Sequence, residues 1–221
     1  MTSIILGAFD QFKWQRHITL AALNCIRRFT DQPYELILVD QAEAGEGGPY
    51  NRWGIIKPDK HLHPGDIGYS AAMNLGVKES NPESEYLVFM HSDIFVQEGW
   101  LPTLIECEKA GLGDVIYPDQ IARTRDNILQ SYQEEWPQGH DEAGLFLMTR
   151  KTYDESGGWD ERFKAVYQDL AFHRKLYAVG KTLYCTMKTF TTHIGSVGYA
   201  YSTEAEDANL KREGTILNGA S

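Results

Sequence analysis

Three short stretches of the chain are apolar without interruption: Ile4-Ile5-Leu6, Leu36-Ile37-Leu38-Val39 and Leu87-Val88-Phe89-Met90. Continuous rather than alternating runs are the pattern of strands covered on both faces, as in a parallel sheet. Between them the period changes. Trp14, Ile18, Ala21, Ala22, Cys25 and Phe29 recur at three- and four-residue steps, which predicts a helix. A second helix is predicted over 70–80. A third is predicted from Pro102, a residue suited to a first helical position, with Leu101, Leu104 and Ile105 facing inward. Residues 114–118 and 145–148 give two more strands, and Phe172, Leu176 and Val179 mark a helix that ends at Gly180. Strand and helix alternate, so the fold class is α/β: a Rossmann-like, mostly parallel central sheet flanked by helices.

A Gly/Pro-rich stretch over 42–65 interrupts this order, with Ile55-Ile56 as a short strand candidate. A loop this long inside a compact domain is usually functional. There is no internal repeat and no linker. The expectation is one catalytic-sized domain over 1–202 and a polar C-terminal tail over 203–221, a loosely docked helix or a frayed end. The length of 221 residues supports a full core without disulfide or metal staples. Cys25, Cys107 and Cys185 lie far apart inside periodic segments, which fits reduced core thiols. Neither a signal peptide nor a run long enough to span a membrane is read from the sequence, so the expected location is cytoplasmic. The net charge of -10 argues against a nucleic-acid binder. It also means that a phosphate ligand needs local positive charge or a metal. The Gln133-Glu134-Glu135 run reads as a solvated face.

Each buried strand runs into an acidic group. The first leads into Ala8-Phe9-Asp10, the second ends at Asp40, and the third ends in His91-Ser92-Asp93. In open α/β sheets, ligands sit beyond the carboxyl ends of the strands. A single Asp there is commonly a cap or a turn residue. Three together point to one crevice, suited to a hard cation such as Mg²⁺ or Mn²⁺, or to a base or sugar that donates hydrogen bonds. No G-x-G-x-x-G follows the first strand, and no P-loop or G-x-S-x-G elbow is present.

Several runs, in this order, resemble those of the GT-A glycosyltransferases, and in particular the inverting family-2-like group. Ser3 to Leu6 looks like the family's first strand. Leu36 to Asp40 resembles the strand whose Asp holds the nucleotide base. Gly68-Tyr69-Ser70-Ala71-Ala72-Met73-Asn74-Leu75-Gly76 is similar to the helix ending in Asn-x-Gly. Phe89-Met90-His91-Ser92-Asp93 stands in the place of the D-x-D metal motif. Gly157-Gly158-Trp159-Asp160-Glu161-Arg162-Phe163 is close to the family's Gly-Gly-aromatic-Asp-Glu-x-Phe run. Tyr167-Gln168-Asp169 stands where the family has Glu-Asp, whose Asp is the catalytic base. His193 stands where many members place a further metal ligand.

The resemblance covers about 3–40, 68–105 and 144–193, and implies a glycosyltransferase of the hexosyltransferase class in minimal form. The donor is expected to be a nucleotide-diphosphate sugar, UDP-sugar being favoured, and the acceptor a carbohydrate or other hydroxyl. Asp169 is the expected base. Ala8, Phe9, Asp10, Asp40, Asn74 and Ser92 are expected at the nucleotide. Gly144, Trp159, Asp160 and Gln168 are expected at the substrate. Asp93, His193 and His91 are expected at Mn²⁺ or Mg²⁺. Three residues depart from the pattern: His91 replaces an Asp, Gln168 replaces a Glu, and Met73 stands where many members carry a basic residue. The resemblance also leads us to expect a minimal catalytic core, without the C-terminal extension or membrane helices of many members. These departures motivate an alternative, a catalytically weak nucleotide- or carbohydrate-binding module of the same fold. A sugar-phosphate nucleotidyltransferase is disfavoured, because no Gly-rich basic loop follows the first strand. Monomer and homo-oligomer stay open.

Overall fold

The computed structural model describes residues 1–10, 13–42, 57–123, 129–131, 144–195 and 203–219. The first half contains β1 (Thr2–Ala8), α1 (Lys13–Phe29), β2 (Tyr34–Asp40), β3 (Lys60–Leu62), α2 (Tyr69–Glu79), β4 (Tyr86–His91), β5 (Ile94–Phe95) and α3 (Trp100–Lys109). The second contains β6 (Val115–Arg123), β7 (Leu129–Ser131), β8 (Leu145–Thr149), α4 (Arg150–Ser156), α5 (Gln168–Ala178), β9 (Leu183–His193) and α6 (Thr203–Leu217).

The three uninterrupted apolar runs form the centre of one sheet, in the order β3-β2-β1-β4-β8-β6-β9-β5, with β7 on β6. β3, β2, β1 and β4 are mutually parallel. β8 is inserted antiparallel between β4 and β6, and β9 returns parallel to β6. The sheet is therefore mixed and mostly parallel, with helices against it, which is the architecture of the GT-A fold. β1 and most of β2 and β4 are buried along their length, so side chains of both alternating sets enter cores. One core gathers Ile4, Leu6, Leu36, Leu38 and Val88 against α1 and α3, around the fully buried Trp100. The other gathers Ile5, Ile37, Val39, Leu87 and Phe89 against α2 and α5.

The predicted helices hold with small shifts. α3 begins at Trp100, so Pro102 lies inside the first turn, where no helical N–H is yet required. Val179, expected to continue the inner face of α5, is exposed at 45%, because the helix has ended at Ala178. The strand expected at Ile55-Ile56 and the face expected at Gln133-Glu134-Glu135 lie outside the described residues. The three cysteines are free.

Residues 203–217 form α6, and Glu213 anchors it. Glu213 is fully buried. Its carboxylate accepts the backbone N–H groups of Lys164 (3.0 Å), Ala165 (3.3 Å) and Val166 (3.0 Å). The same segment takes the Tyr69 N–H on the Lys164 carbonyl at 2.7 Å. The C-terminal helix thus ties down the loop that leads into α5 and, through it, the start of α2.

Gly76 sets how closely α2 approaches the sheet. A Cβ there would meet Cγ2 of Ile5 at 2.3 Å, well inside contact distance. A helical Gly→Ala change normally stabilises by up to about 1 kcal/mol. Overpacking a core typically costs about 1–3 kcal/mol, so the sign should reverse here. Gly76→Ala is expected to lower the midpoint of urea unfolding; a raised midpoint would show that α2 can move off β1 without penalty.

Candidate active site

The parallel strands deliver their carboxyl ends to one edge of the sheet. Ala8 is the register partner of Asp40, and Gly7 is that of His91. The Ala8 carbonyl accepts the Gln41 N–H at 2.9 Å, and Phe9 continues from it half-buried. Asp40 is buried beside this edge. One of its oxygens, Oδ1, accepts the Ala42 N–H at 3.0 Å. The other, Oδ2, faces His61 Nε2 at 3.3 Å and His63 Nδ1 at 3.5 Å. Burial pushes the Asp40 carboxyl up, but the His61 hydrogen bond, the Ala42 N–H and the two imidazoles outweigh it and hold it below its ordinary value.

Beyond β4, the chain turns through Ser92 and Asp93 into β5. β5 pairs antiparallel with the end of β9, placing Ile94 opposite His193. This pairing brings Asp93 and His193 together from positions a hundred residues apart in the chain. His193 Nε2 lies 3.2 Å from Asp93 Oδ1. Gly195 N–H donates to Asp93 Oδ2 at 3.1 Å, and Ile194 N–H to the Asp93 carbonyl at 3.1 Å. On its far side, His193 Nδ1 is 2.9 Å from the amide nitrogen of Gln120, which fixes the ring orientation. Gly144 leaves room for this contact. A Cβ there would stand 3.0 Å from Gln120 Oε1 and 3.3 Å from the His193 ring. The Gly144 carbonyl also accepts the His91 N–H at 2.8 Å.

His91 completes the cluster. Its ring centroid is 5.6 Å from that of His193. Its Nε2 is buried with no hydrogen-bond partner among the described residues. Burial, helped by the nearby His193, depresses the imidazole to about 4 against the pull of Asp93. It is therefore neutral at pH 7, with a lone pair to offer. Burial raises the Asp93 carboxyl, but the His193 hydrogen bond and the His193 and His91 rings outweigh it, so it stays ionised. The ligand atoms of His91, Asp93 and His193 lie within 4.8 Å of one another. One carboxylate and two imidazoles at this spacing fit a divalent cation, and the unpartnered His91 nitrogen is the observation that favours one.

Tyr69 links this cluster to Asp169. Its ring packs edge-on against His91 at 4.9 Å and against Trp159 at 5.4 Å. Its hydroxyl oxygen is buried without a hydrogen-bond partner among the described residues. Burial first, then the charges of Asp169 and Asp93, hold that phenol well above its ordinary value, so both carboxylates act on one group. Asp169 sits buried in the first turn of α5, after Tyr167, whose φ of 55° is left-handed. Its charge, after burial, also raises Tyr117, whose hydroxyl is 2.7 Å from Nε2 of the buried His173. Gln168 stands next to it with Oε1 buried and unpartnered among the described residues.

Other expected site residues carry structural partners. Asp10 is buried and accepts the Thr19 hydroxyl at 3.0 Å, which ties the end of β1 to α1. Asn74 uses its amide on the 157–163 loop and on Tyr153 of α4. It donates to the Trp159 carbonyl (3.0 Å) and Glu161 (2.8 Å), and accepts from Trp159 N–H (2.9 Å) and the Tyr153 hydroxyl (2.7 Å). Asn74 thus clamps this loop to α2. Trp159 is buried and stacks on Phe172 at 4.3 Å and 10°, with one edge toward Tyr69. Asp160 is half-buried and held by Arg162 at 2.7 Å. Met73 is fully buried, and its Cε would touch a Cβ on Gly7 at 2.6 Å, so this position serves packing.

Sequence reasoning missed His61, His63, Tyr69, Tyr117 and His173 as neighbours of the acidic groups. The His-x-His spacing of 61 and 63 was the one available signal, since alternate residues of an extended chain share a face.

The family model described as glycosyl transferase family 2 matches residues 3–171. The chain belongs to glycosyl transferase family 2. No curated protein matches it. Among solved structures, S. aureus TarS 1–349 aligns with a TM-score of 0.68 and 14% identity, over 88% of this chain and 60% of that one. S. aureus TarS gives 0.67 and 15% identity, over 98% of this chain and 43% of that one. S. aureus TarS 1–349 in complex with UDP gives 0.63 and 16% identity, over 86% and 60%. These likenesses establish the fold, and this family 2 chain spans 43–60% of the length of those proteins. No helix among its described residues is long and apolar enough to cross a membrane.

The depressed His91 predicts a pH dependence of stability. Between about 4 and its unfolded value of 6.5, the unfolded state binds the extra proton. Stability should therefore rise with pH through that window and be lost as pH falls through it. In EDTA, the melting temperature is expected to climb between these limits, and His91→Gln to flatten the slope. An unchanged slope in the variant would assign the titration elsewhere.

Proposed function

We propose that this family 2 chain transfers a sugar from a nucleotide-diphosphate donor, most readily a UDP-sugar, to an acceptor hydroxyl, with metal assistance and inversion. One observation carries the reading: the Asp93 cluster and Asp169 converge on Tyr69 beyond the strand ends of a GT-A sheet. The fold shared with a TarS structure holding UDP supports the choice of base.

The roles follow from position. Asp40, flanked by Ala8 and Phe9, accepts a hydrogen bond from the base N3–H. Ser92 faces the phosphates from the turn after β4. Asp93, His193 and His91 would hold Mn²⁺ or Mg²⁺, and a cation bound there would neutralise charge on the departing diphosphate. Gln120 fixes His193. Asp169 removes the proton from the acceptor hydroxyl as its oxygen attacks the anomeric carbon opposite the leaving group, which inverts the stereochemistry. Tyr69, kept protonated by burial and by both carboxylates, is a hydrogen-bond donor between donor and acceptor ends. Gln168 and Asp160 border the acceptor side, while Trp159 and Gly144 shape its wall. Asp10 and Asn74 hold the frame. The competing reading, a binding module without turnover, is motivated by His91 and Gln168 standing where the family has Asp and Glu.

Asp169→Asn preserves shape and removes basicity. General base catalysis contributes about 10²–10⁴-fold, so release of nucleotide from a UDP-sugar in the presence of acceptor should fall within that range. Affinity for UDP should hold. Turnover within a few-fold of the parent would move the base elsewhere, and no turnover by the parent with any nucleotide sugar would leave the binding module.

Ligands that bind only the folded state raise its melting temperature by mass action. UDP and Mn²⁺ together are expected to raise it more than either alone. Asp93→Ala should abolish the joint shift and His193→Ala reduce it. A full UDP shift in EDTA would show that nucleotide binding needs no metal.

A further inference from the structure

A second set of ligating side chains lies away from the Asp93 cluster, at the end of β2. Asp40 Oδ2 is approached by both His61 Nε2, at 3.3 Å, and His63 Nδ1, at 3.5 Å. The two imidazole centroids are 3.8 Å apart, and the three ligand atoms lie within 4.8 Å of one another. Both distances exceed the N–H···O mode of about 2.9–3.0 Å, the nearer still within hydrogen-bond reach. They match the edge of a zinc tetrahedron. Donors about 2.0–2.1 Å from the metal stand roughly 3.4 Å from one another.

The backbone fixes the arrangement. β3 pairs in parallel with β2, placing Leu38 opposite His61 and Val39 opposite Leu62, so His63 follows beside the residue Asp40. Two residues apart on extended chain, both rings fall on one face. Asp40 Oδ1 is occupied by the Ala42 N–H, which orients Oδ2 toward the histidines in the manner of an outer hydrogen bond on a ligating carboxylate. His63 is 44% exposed, which gives an ion a way in and leaves a coordination position open to solvent.

We infer that Asp40, His61 and His63 form a second cation site, selective for Zn²⁺ or a similar transition metal over Mg²⁺, whose occupancy excludes the nucleobase. Two imidazoles and one carboxylate favour Zn²⁺ because nitrogen donors discriminate against hard alkaline-earth ions. Once Oδ2 ligates a metal, the oxygen left for a base N–H is Oδ1, which already accepts the Ala42 N–H. Zinc at this site therefore competes with the nucleotide. The competition rests on the proposed role of Asp40 at the base; the metal site does not.

The test is equilibrium dialysis with Zn²⁺ alone, the bound metal counted per chain. The parent should hold two equivalents, one at each histidine–carboxylate cluster. His61→Gln and His63→Gln should each hold one, as should Asp93→Ala, which loses the other site. The exposure of His63 makes its variant the one that stays folded, and circular dichroism checks this. Co²⁺ in place of Zn²⁺ should give the intense visible absorption of a four-coordinate ion in Asp93→Ala, lost on adding His63→Gln. Parent-like stoichiometry in both histidine variants, or one equivalent in the parent lost with Asp93, overturns the site. UDP affinity, measured with Mn²⁺ present, should fall at least tenfold in the parent as the second zinc equivalent binds, and hold in His63→Gln. Zinc bound at His61 and His63 with UDP affinity unchanged overturns the competition, and Asp40's place at the base with it, while the metal site stands.

Discussion

The short pairing of β5 with the end of β9 is the contact on which the site depends. It involves Ile94 and Phe95 against His193 and Thr192. Without it, Asp93 belongs to a turn and His193 to a distant strand end. With it, one carboxylate receives an imidazole on one oxygen and a backbone N–H on the other. The geometry of β9 makes the meeting possible. Between Pro118 and Asp119 of β6, the partner in β9 jumps from Thr186 to Phe190. Such irregularities bend a strand and re-aim its side chains, and are common beside functional sites. Here the jump leaves His193 level with Ala122 and next to Gln120.

The second constraint is the aromatic wall behind the site. Trp159 stacks on Phe172, and Phe89 and Phe146 meet both rings. Asn74 pins Trp159 by its backbone from α2, while Phe172 lies on α5 one turn after Asp169. The rigid stack therefore sets the distance from α2, with Tyr69 at its start, to the carboxylate on α5. Glu213 reinforces the same joint from outside, by holding the amides of the segment that enters α5.

The parts of this arrangement that were legible in the sequence share one physical origin. Strands buried on both faces must be apolar throughout, so β1, β2 and β4 were visible, and with them the strand ends that carry Asp40 and Asp93. β9 was not. Its burial alternates irregularly, with Met187 and Phe190 exposed among buried threonines, so neither period emerges. β3 is three residues long and borrows its position from β2, which hid His61 and His63 inside a loop-like stretch. Glu213 lies between a Lys-Arg pair and a Gly on a polar helix, and nothing local marks it as buried. Asn74 stood in a recognisable run, but its use depends on a loop eighty-five residues away.

Charge balance decides how such a crevice holds an anion. The chain carries a net charge of -10, and Asp40, Asp93 and Asp169 are all buried at the strand and helix ends. On α2, where the resemblance implied a basic residue, Met73 is packed beneath Gly7 with no exposure. A lysine at that depth would be an unpaired cation in the core, so the position cannot be restored to charge without moving β1 off α2. Lys175 is committed to the carbonyls of Gly157 and Gly158, and Arg162 to Asp160. With these two committed, the neutral His91 imidazole of the Asp93 cluster would bring positive charge to a diphosphate by binding a cation, as in the proposed function. In the proposed function, His91 in the place of an aspartate would remove one negative charge from the diphosphate's path while keeping a nitrogen for the cation.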